Sequence, residues 1–225
     1  MSKRLYLVLS DKCNRKCEYC FERPHSGKIS TTNVEDIVSL ISDALSKNYE
    51  VYFQGAETFY YPDIKYIIKK FENQLSITTN GDFINDYDMN LFKEIIISIH
   101  DEISNKFFTK FEKIYNKIKA FNIVVHNFNY LRVIKDFLSI DTKYRDKIEF
   151  VPYFSRATDK TKDDYYLSSS AKKYIEHITK QHLRERKTNT EKYKNWIKVD
   201  LVKMVFYPNF ANKNIPINNI KEILL

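Results

Sequence analysis

Three cysteines, Cys13, Cys17 and Cys20, fall within eight residues, and the 225-residue chain has no others. An odd number packed this tightly is a poor disulfide framework and points to metal chemistry in a reducing compartment. The loop reads Asp11-Lys12-Cys13-Asn14-Arg15-Lys16-Cys17-Glu18-Tyr19-Cys20-Phe21, a C-x3-C-x2-C spacing with an aromatic residue before the last cysteine. A loop of this length can wrap three thiolates around one corner of an iron–sulfur cube. Ordinary 4Fe–4S clusters take four cysteines. Three leave one iron open, and an open position permits chemistry on a bound molecule. The alternative is a structural zinc site with His25 as fourth ligand, a physically reasonable Cys3His set.

The elements that must position this loop alternate between strand and helix. Residues 4–9 read as a buried strand leading into it. Thr32 with Glu35 forms a capping box for a helix whose face is Val34, Ile37, Ile41 and Leu45. Residues 51–53 make a second strand, and Pro62 opens a helix that buries Ile64, Ile67, Ile68 and Phe71. A third strand at 75–79 ends in the turn dipeptide Asn80-Gly81, and a short helix is expected over 82–92. The fourth strand, 95–99, precedes a helical stripe through Ile103, Phe107, Phe111, Ile114 and Ile118. A strand at 121–125, a helix at 131–138 and a strand at 148–151 complete six repeats. The alternation implies right-handed βαβ units on a parallel sheet. Without a Rossmann fingerprint it suits an α/β fold of the partial, open (β/α)6 barrel kind. The expected division is a barrel core at 1–153 and a C-terminal extension at 154–225 that caps it. That extension holds a polar loop at 155–170, a helix to about residue 187, then a strand and a terminal helix within 197–225.

Two of the three glycines, Gly55 and Gly81, sit just past strand ends, where a missing side chain permits close ligand approach. Active sites of such barrels lie at the C-terminal ends of the strands, the end from which the cysteine loop departs. With its C-x3-C-x-aromatic-C loop, the sequence resembles the radical SAM superfamily over roughly residues 3–153. The resemblance implies one 4Fe–4S cluster on Cys13, Cys17 and Cys20, its fourth iron chelated by the amino and carboxylate groups of S-adenosylmethionine. It implies further that one electron breaks the sulfonium S–C5′ bond, giving methionine and a 5′-deoxyadenosyl radical that abstracts hydrogen from the substrate.

Gln54-Gly55-Ala56-Glu57-Thr58 is similar to the family's Gly-Gly-Glu-Pro motif, which holds the methionine amino group through backbone carbonyls. Ala56 replaces the second glycine and Thr58 the proline. Thr78-Thr79-Asn80-Gly81 is similar to the family's threonine-asparagine-glycine ending of the third strand. Ser98 and His100, on one face by alternation, match the place where small polar residues contact the methionine carboxylate or ribose. His126 and Asn127 end the fifth strand at a ribose or sulfonium position, Asn127 being preferred. Val151-Pro152-Tyr153 ends the sixth, where backbone meets adenine, and Tyr19 is expected near adenine too. His100 and Tyr153 are the candidates for catalytic groups on the substrate side, because both should face the same cavity.

The chain is 43% hydrophobic and 15% aromatic, enough for one substantial core. Its net charge is +8, with one denser basic stretch at 180–187 that reads as the solvated face of a helix. No apolar run approaches the roughly 18–20 residues of a membrane span, and Met1-Ser2-Lys3-Arg4 leads into a strand rather than a signal peptide. The expectation is a cytoplasmic protein without membrane or nucleic-acid partners. RNA binding would show aromatic platforms among basic residues on exposed strands, whereas the aromatics here fall at buried periodic positions. Without further cysteines, one cluster is the maximum. Residues 203–209 and 217–222 resemble the phrase around the auxiliary clusters of the family's SPASM-type extension, stripped of its ligands. The expected activity is modification of a peptide or protein substrate, with flavodoxin or ferredoxin as electron donor. The alternatives are activation of a glycyl-radical enzyme, radical chemistry on a small molecule or nucleoside, and a non-catalytic zinc or RNA-binding module.

Overall fold

Alternation writes the first strand. In β1 (Lys3–Val8) Leu5 and Leu7 are fully buried, while Arg4 and Tyr6 take the opposite face. The computed structural model describes residues 3–17, 20, 26–100, 103–153, 166–181, 183, 195–208, 215–218 and 223. Two compact units are present: Met1–Lys16 with Glu22–Ile95 and Thr188–Leu225, and Cys17–Phe21 with Ile96–Lys187.

In the first unit, β2 (Tyr49–Phe53) and β7 (Trp196–Asp200) pair parallel with β1, and β3 (Leu75–Thr79) pairs parallel with β2. Then β8 (Val205–Pro208) and β9 (Ile215–Pro216) continue antiparallel, so the order is β3-β2-β1-β7-β8-β9. The core joins Leu5, Leu7, Val51, Phe53, Leu75 and Ile77 to two helix faces. One is Ile37, Leu40, Ile41 and Ala44 of α1 (Val34–Ser46), the other Ile64, Ile67 and Ile68 of α2 (Ile64–Lys70). The opposite face is aromatic and charged. The Arg4 guanidinium lies 4.7 Å from the Trp196 ring and 5.3 Å from that of Tyr52, and it bonds Glu50 at 3.0 Å.

In the second unit, entered along β4 (Glu94–Ile99), β5 (Ile118–Val125) lies between β4 and β6 (Ile148–Pro152) and pairs parallel with β6. Among the described residues, four helices accompany them: α3 (Asn105–Thr109), α4 (Tyr130–Ser139), α5 (Thr142–Arg145) and α6 (Ser169–Thr179). Phe108 stacks on Tyr144 and meets Phe121 edge-on, each at 4.8 Å. The Gln181 amide bonds Ile148 O and Phe150 N–H and so covers the open edge of β6.

The structure corrects several expectations. Asn33, not Thr32, caps α1, accepting the Glu35 N–H at 2.8 Å, because the Thr32 hydroxyl is held by Ser30. Pro62 precedes the cap residue Asp63 of α2 instead of opening the helix. Over 82–92 only a 3-10 turn forms, Met89–Leu91, with Asp88 turned back onto the Asn90 N–H. The stripe through Ile118 breaks into α3 and a 3-10 turn, and Ile118 already begins β5. The Lys147 ammonium draws in the Tyr115 and Ile118 carbonyls at 2.6 and 2.7 Å and ends the helical run. From the region after residue 153, β7 pairs parallel with β1. The basic stretch at 180–187, the loop before 166 and the terminal helix fall largely outside the described residues. Among the described residues, no helix is long and apolar enough to cross a membrane.

Candidate functional site

The cysteine loop leaves β1 and returns through a closed neck in the first unit. Ser10 bridges Ile29, the Ser30 N–H donates to Leu9 O at 2.9 Å, and the Asp11 N–H donates to Lys28 O at 2.8 Å. The buried Asp11 carboxylate accepts the Ser26 N–H at 2.6 Å, which compensates its desolvation.

Cys13 is a free, half-exposed thiol. Its Sγ accepts the Arg15 N–H at 3.4 Å and lies 3.8 Å from Asn80 Nδ2. Burial pushes the Cys13 thiol up, and the Arg15 and Asn80 donors oppose that shift. Asn80 is itself fixed: Nδ2 also donates to Asn14 Oδ1 at 2.8 Å, and Oδ1 accepts the Asp82 N–H at 2.9 Å. Asp82 in turn clasps Arg15 through Nε and Nη2 at 2.8 and 2.6 Å, and takes Asn14 Nδ2 at 2.6 Å.

Behind this bracket lies Glu57, 1% exposed. Its carboxylate accepts the Thr79 hydroxyl at 3.0 Å from each oxygen and the Asn80 N–H at 3.0 Å, and its own N–H donates to Lys12 O at 3.1 Å. Burial pushes its carboxyl up to about 7, the donors only partly offsetting the loss of water. Gly55 comes two residues earlier with φ +133°, and Ala56 stands half-buried between them. A Cβ on Gly55 would lie 2.8 Å from Val8 Cγ1 and 3.2 Å from Ser10 O, so the loop after β2 presses directly on the neck.

In the second unit, Cys17 and Cys20 are likewise half-exposed and outside any disulfide, and the Cys20 N–H closes a turn onto Cys17 O at 3.2 Å. His100, one residue past β4, has Nδ1 3.3 Å from Cys17 Sγ, and Ser98 precedes it half-buried on the same face. At the end of β5 the preference between neighbours meets a clear difference in placement. Asn127 is exposed in a turn, whereas His126 is buried, its Nδ1 accepting the Phe128 N–H at 3.3 Å. Val151 stands opposite Val124, and Tyr153 is buried, its N–H on Val125 O at 2.9 Å and its ring edge-on to Tyr166. Tyr19 and the alternative zinc ligand His25 lie outside the described residues.

Asn14, Arg15, Asp82 and Asp11 were not singled out from the sequence. Two of them occupy the cysteine spacer itself, and Asp82 follows Asn80-Gly81 directly, which was the only local signal. Among the described residues, no three His, Cys, Asp or Glu side chains meet in a metal-binding group. The donor chemistry nonetheless fits an iron–sulfur group: three half-exposed cysteines outside any disulfide, with N–H groups facing the Cys13 sulfur.

Solved structures share the fold. SuiB of Streptococcus suis, determined bound to precursor peptide SuiA, superposes with a TM-score of 0.65 at 14% identity over 100% of this chain. The chain spans 64% of that protein's length, under two thirds. Native anSMEcpe with bound AdoMet gives 0.61 at 18% identity, covering 98% of this chain and 79% of its own. These likenesses show an α/β fold of the radical SAM partial-barrel class. By sequence, no curated protein matches the chain. A family model described as the Radical SAM superfamily matches residues 7–136, more than half of the chain, which therefore belongs to the radical SAM superfamily.

Proposed function

We propose that this chain is a radical SAM enzyme that holds one 4Fe–4S cluster on Cys13, Cys17 and Cys20, binds S-adenosylmethionine beside it and modifies a peptide or protein. The observation that carries the reading is the set of three half-exposed cysteines outside any disulfide, at family spacing in a chain of that family. A cluster bound there supplies single electrons and, with three protein ligands, one iron open to a chelating small molecule.

The chain's own residues have distinct tasks in this reading. The Gly55-Ala56 backbone offers carbonyls to the methionine amino group. Glu57 serves by position, because its carboxylate is committed to Thr79 and Asn80. Ser98, Asn127 and Val151 complete the S-adenosylmethionine contacts from the ends of β4, β5 and β6, with Tyr19 on adenine. His100 and Tyr153 are the candidates on the substrate side. The peptide class is supported by SuiB, solved with its precursor peptide, and by anSMEcpe, solved with AdoMet and a peptide. A net charge of +8 suits an acidic peptide and an acidic flavodoxin or ferredoxin donor.

The test is anaerobic reconstitution with iron and sulfide, followed by EPR with and without S-adenosylmethionine. The expected result is an S = 1/2 signal of a reduced 4Fe–4S cluster that changes on adding S-adenosylmethionine and is lost in Cys17→Ala, together with 5′-deoxyadenosine formation. Stoichiometric zinc, no cluster uptake and no 5′-deoxyadenosine would overturn the proposal.

A further inference from the structure

Asn80 is 6% exposed at the end of β3, and its side chain is oriented without ambiguity. Oδ1 is occupied by the Asp82 N–H at 2.9 Å, so the amide cannot be flipped, and Nδ2 must face the cysteine loop. An amide nitrogen carries two protons, and two acceptors are in place for them: Asn14 Oδ1 at 2.8 Å and Cys13 Sγ at 3.8 Å. The backbone is fixed as firmly, through the Asn80 N–H on the buried Glu57 carboxylate. The Arg15–Asp82 clasp holds the cysteine side of the contact. A rigid N–H donor is therefore aimed at one sulfur from the end of β3. This is the arrangement by which hydrogen bonds to coordinating sulfur set the potential of iron–sulfur centres.

We infer that Asn80 tunes the cluster through Cys13, its N–H donor raising the reduction potential of a cluster ligated there. The inference rests on Cys13 being a cluster ligand. The added electron increases negative charge on the sulfurs, so a donor to sulfur stabilises the reduced state more than the oxidised one. Removing the donor lowers the potential.

The experiment compares wild type with Asn80→Ser and Asn80→Asp. Serine keeps an acceptor for the Asp82 N–H but is too short to reach Cys13. Aspartate keeps the shape and the acceptor while replacing the donor by a carboxylate oxygen. Iron and sulfide per chain are measured first, then the midpoint potential by dithionite titration with mediators, followed by EPR. The expected result is wild-type cluster content with midpoints shifted negative in both variants, further in Asn80→Asp. Wild-type midpoints at full cluster content would overturn the inference. So would loss of cluster uptake in both variants, which would make Asn80 a loop-folding residue. A wild-type protein that takes up no cluster would instead sink the proposed function.

Discussion

Replacing Gly55 by alanine tests the tightest packing in the described site. At φ +133° an L side chain is strained, and the new Cβ would stand 2.8 Å from Val8 Cγ1 and 3.2 Å from Ser10 O. The two contacts differ in kind. Val8 Cγ1 belongs to a β-branched side chain with restricted χ1 in a buried strand, and it yields at some cost. Ser10 O is backbone of the neck that closes the cysteine loop, and it moves only with that neck. Backbone strain of this kind costs about 1–3 kcal/mol, and overpacking adds about 1–3 kcal/mol. A midpoint of ~4 kcal/mol lowers Tm by roughly 8–16 °C, at about 2–4 °C per kcal/mol for a chain of this size. The assay is thermal unfolding of the cluster-free protein by circular dichroism at one scan rate, for wild type, Gly55→Ala, Val8→Ala and the double variant. Val8→Ala removes the side-chain clash, so the double variant should recover about 1–3 kcal/mol relative to additivity while the strain at φ remains. A Gly55→Ala protein melting within about 2 °C of wild type would refute the argument. Strict additivity in the double variant would refute the Val8 part of it.

Two further outcomes are expected. Glu57 is raised to about 7 by burial, against an ordinary 4.5, so the folded state keeps a proton that the unfolded chain gives up. Its contribution is fully present below the unfolded value and is lost as pH rises through the folded one, by about 3 kcal/mol in all. Glu57→Gln should flatten the urea-derived stability profile between roughly pH 5 and 7.5, and a profile parallel to wild type would contradict the burial account. Asp82→Asn should leave global stability within about 1 kcal/mol, because the Arg15 pair is partly solvated at 19% and 34% side-chain exposure. Locally it should speed amide exchange across Cys13, Asn14 and Arg15 several-fold, as the loop loses its clasp to the end of β3. Unchanged exchange there would mean the clasp does not hold the loop.

Hydrophobic spacing reads what a strand shows its core, and it reads little else. It places β3 at its observed bounds because Leu75 and Ile77 bury one face and Asn80-Gly81 closes the end. It misses the start of β2, where Tyr49 and Glu50 are only half-buried and Glu50, on the face opposite the core, is held there by Arg4. It overextends the stripe toward Ile118, because the group that ends the helical turns, Lys147, is 29 residues away in sequence. The site divides similarly. The cysteine spacing and Glu57 with Asn80 are local signals, and the structure brings Cys13, Glu57 and Asn80 together in one unit. The Arg15–Asp82 clasp joins positions 67 residues apart, which no spacing rule encodes. At the end of β5, His126 and Asn127 differ by a single residue of register, and one is buried while the other is exposed.

The departures from the Gly-Gly-Glu-Pro pattern become intelligible at Glu57. Three chain segments meet there: the neck after β1 through Lys12 O, the loop after β2 through Glu57 itself, and the end of β3 through Thr79 and Asn80. Thr58, which replaces the proline, is the first residue of a 3-10 turn, a position where proline's fixed φ and missing N–H are favourable. The turn forms here without that ring, and it does so with the Thr58 hydroxyl buried and lacking a hydrogen-bond partner. A buried orphan hydroxyl is destabilising by about 1–3 kcal/mol, so threonine does not itself create the turn. The bonds to Glu57 and the close approach of Gly55 to Val8 and Ser10 impose it from either side. Those are the features without which the loop after β2 could not hold its backbone beside the cysteine loop.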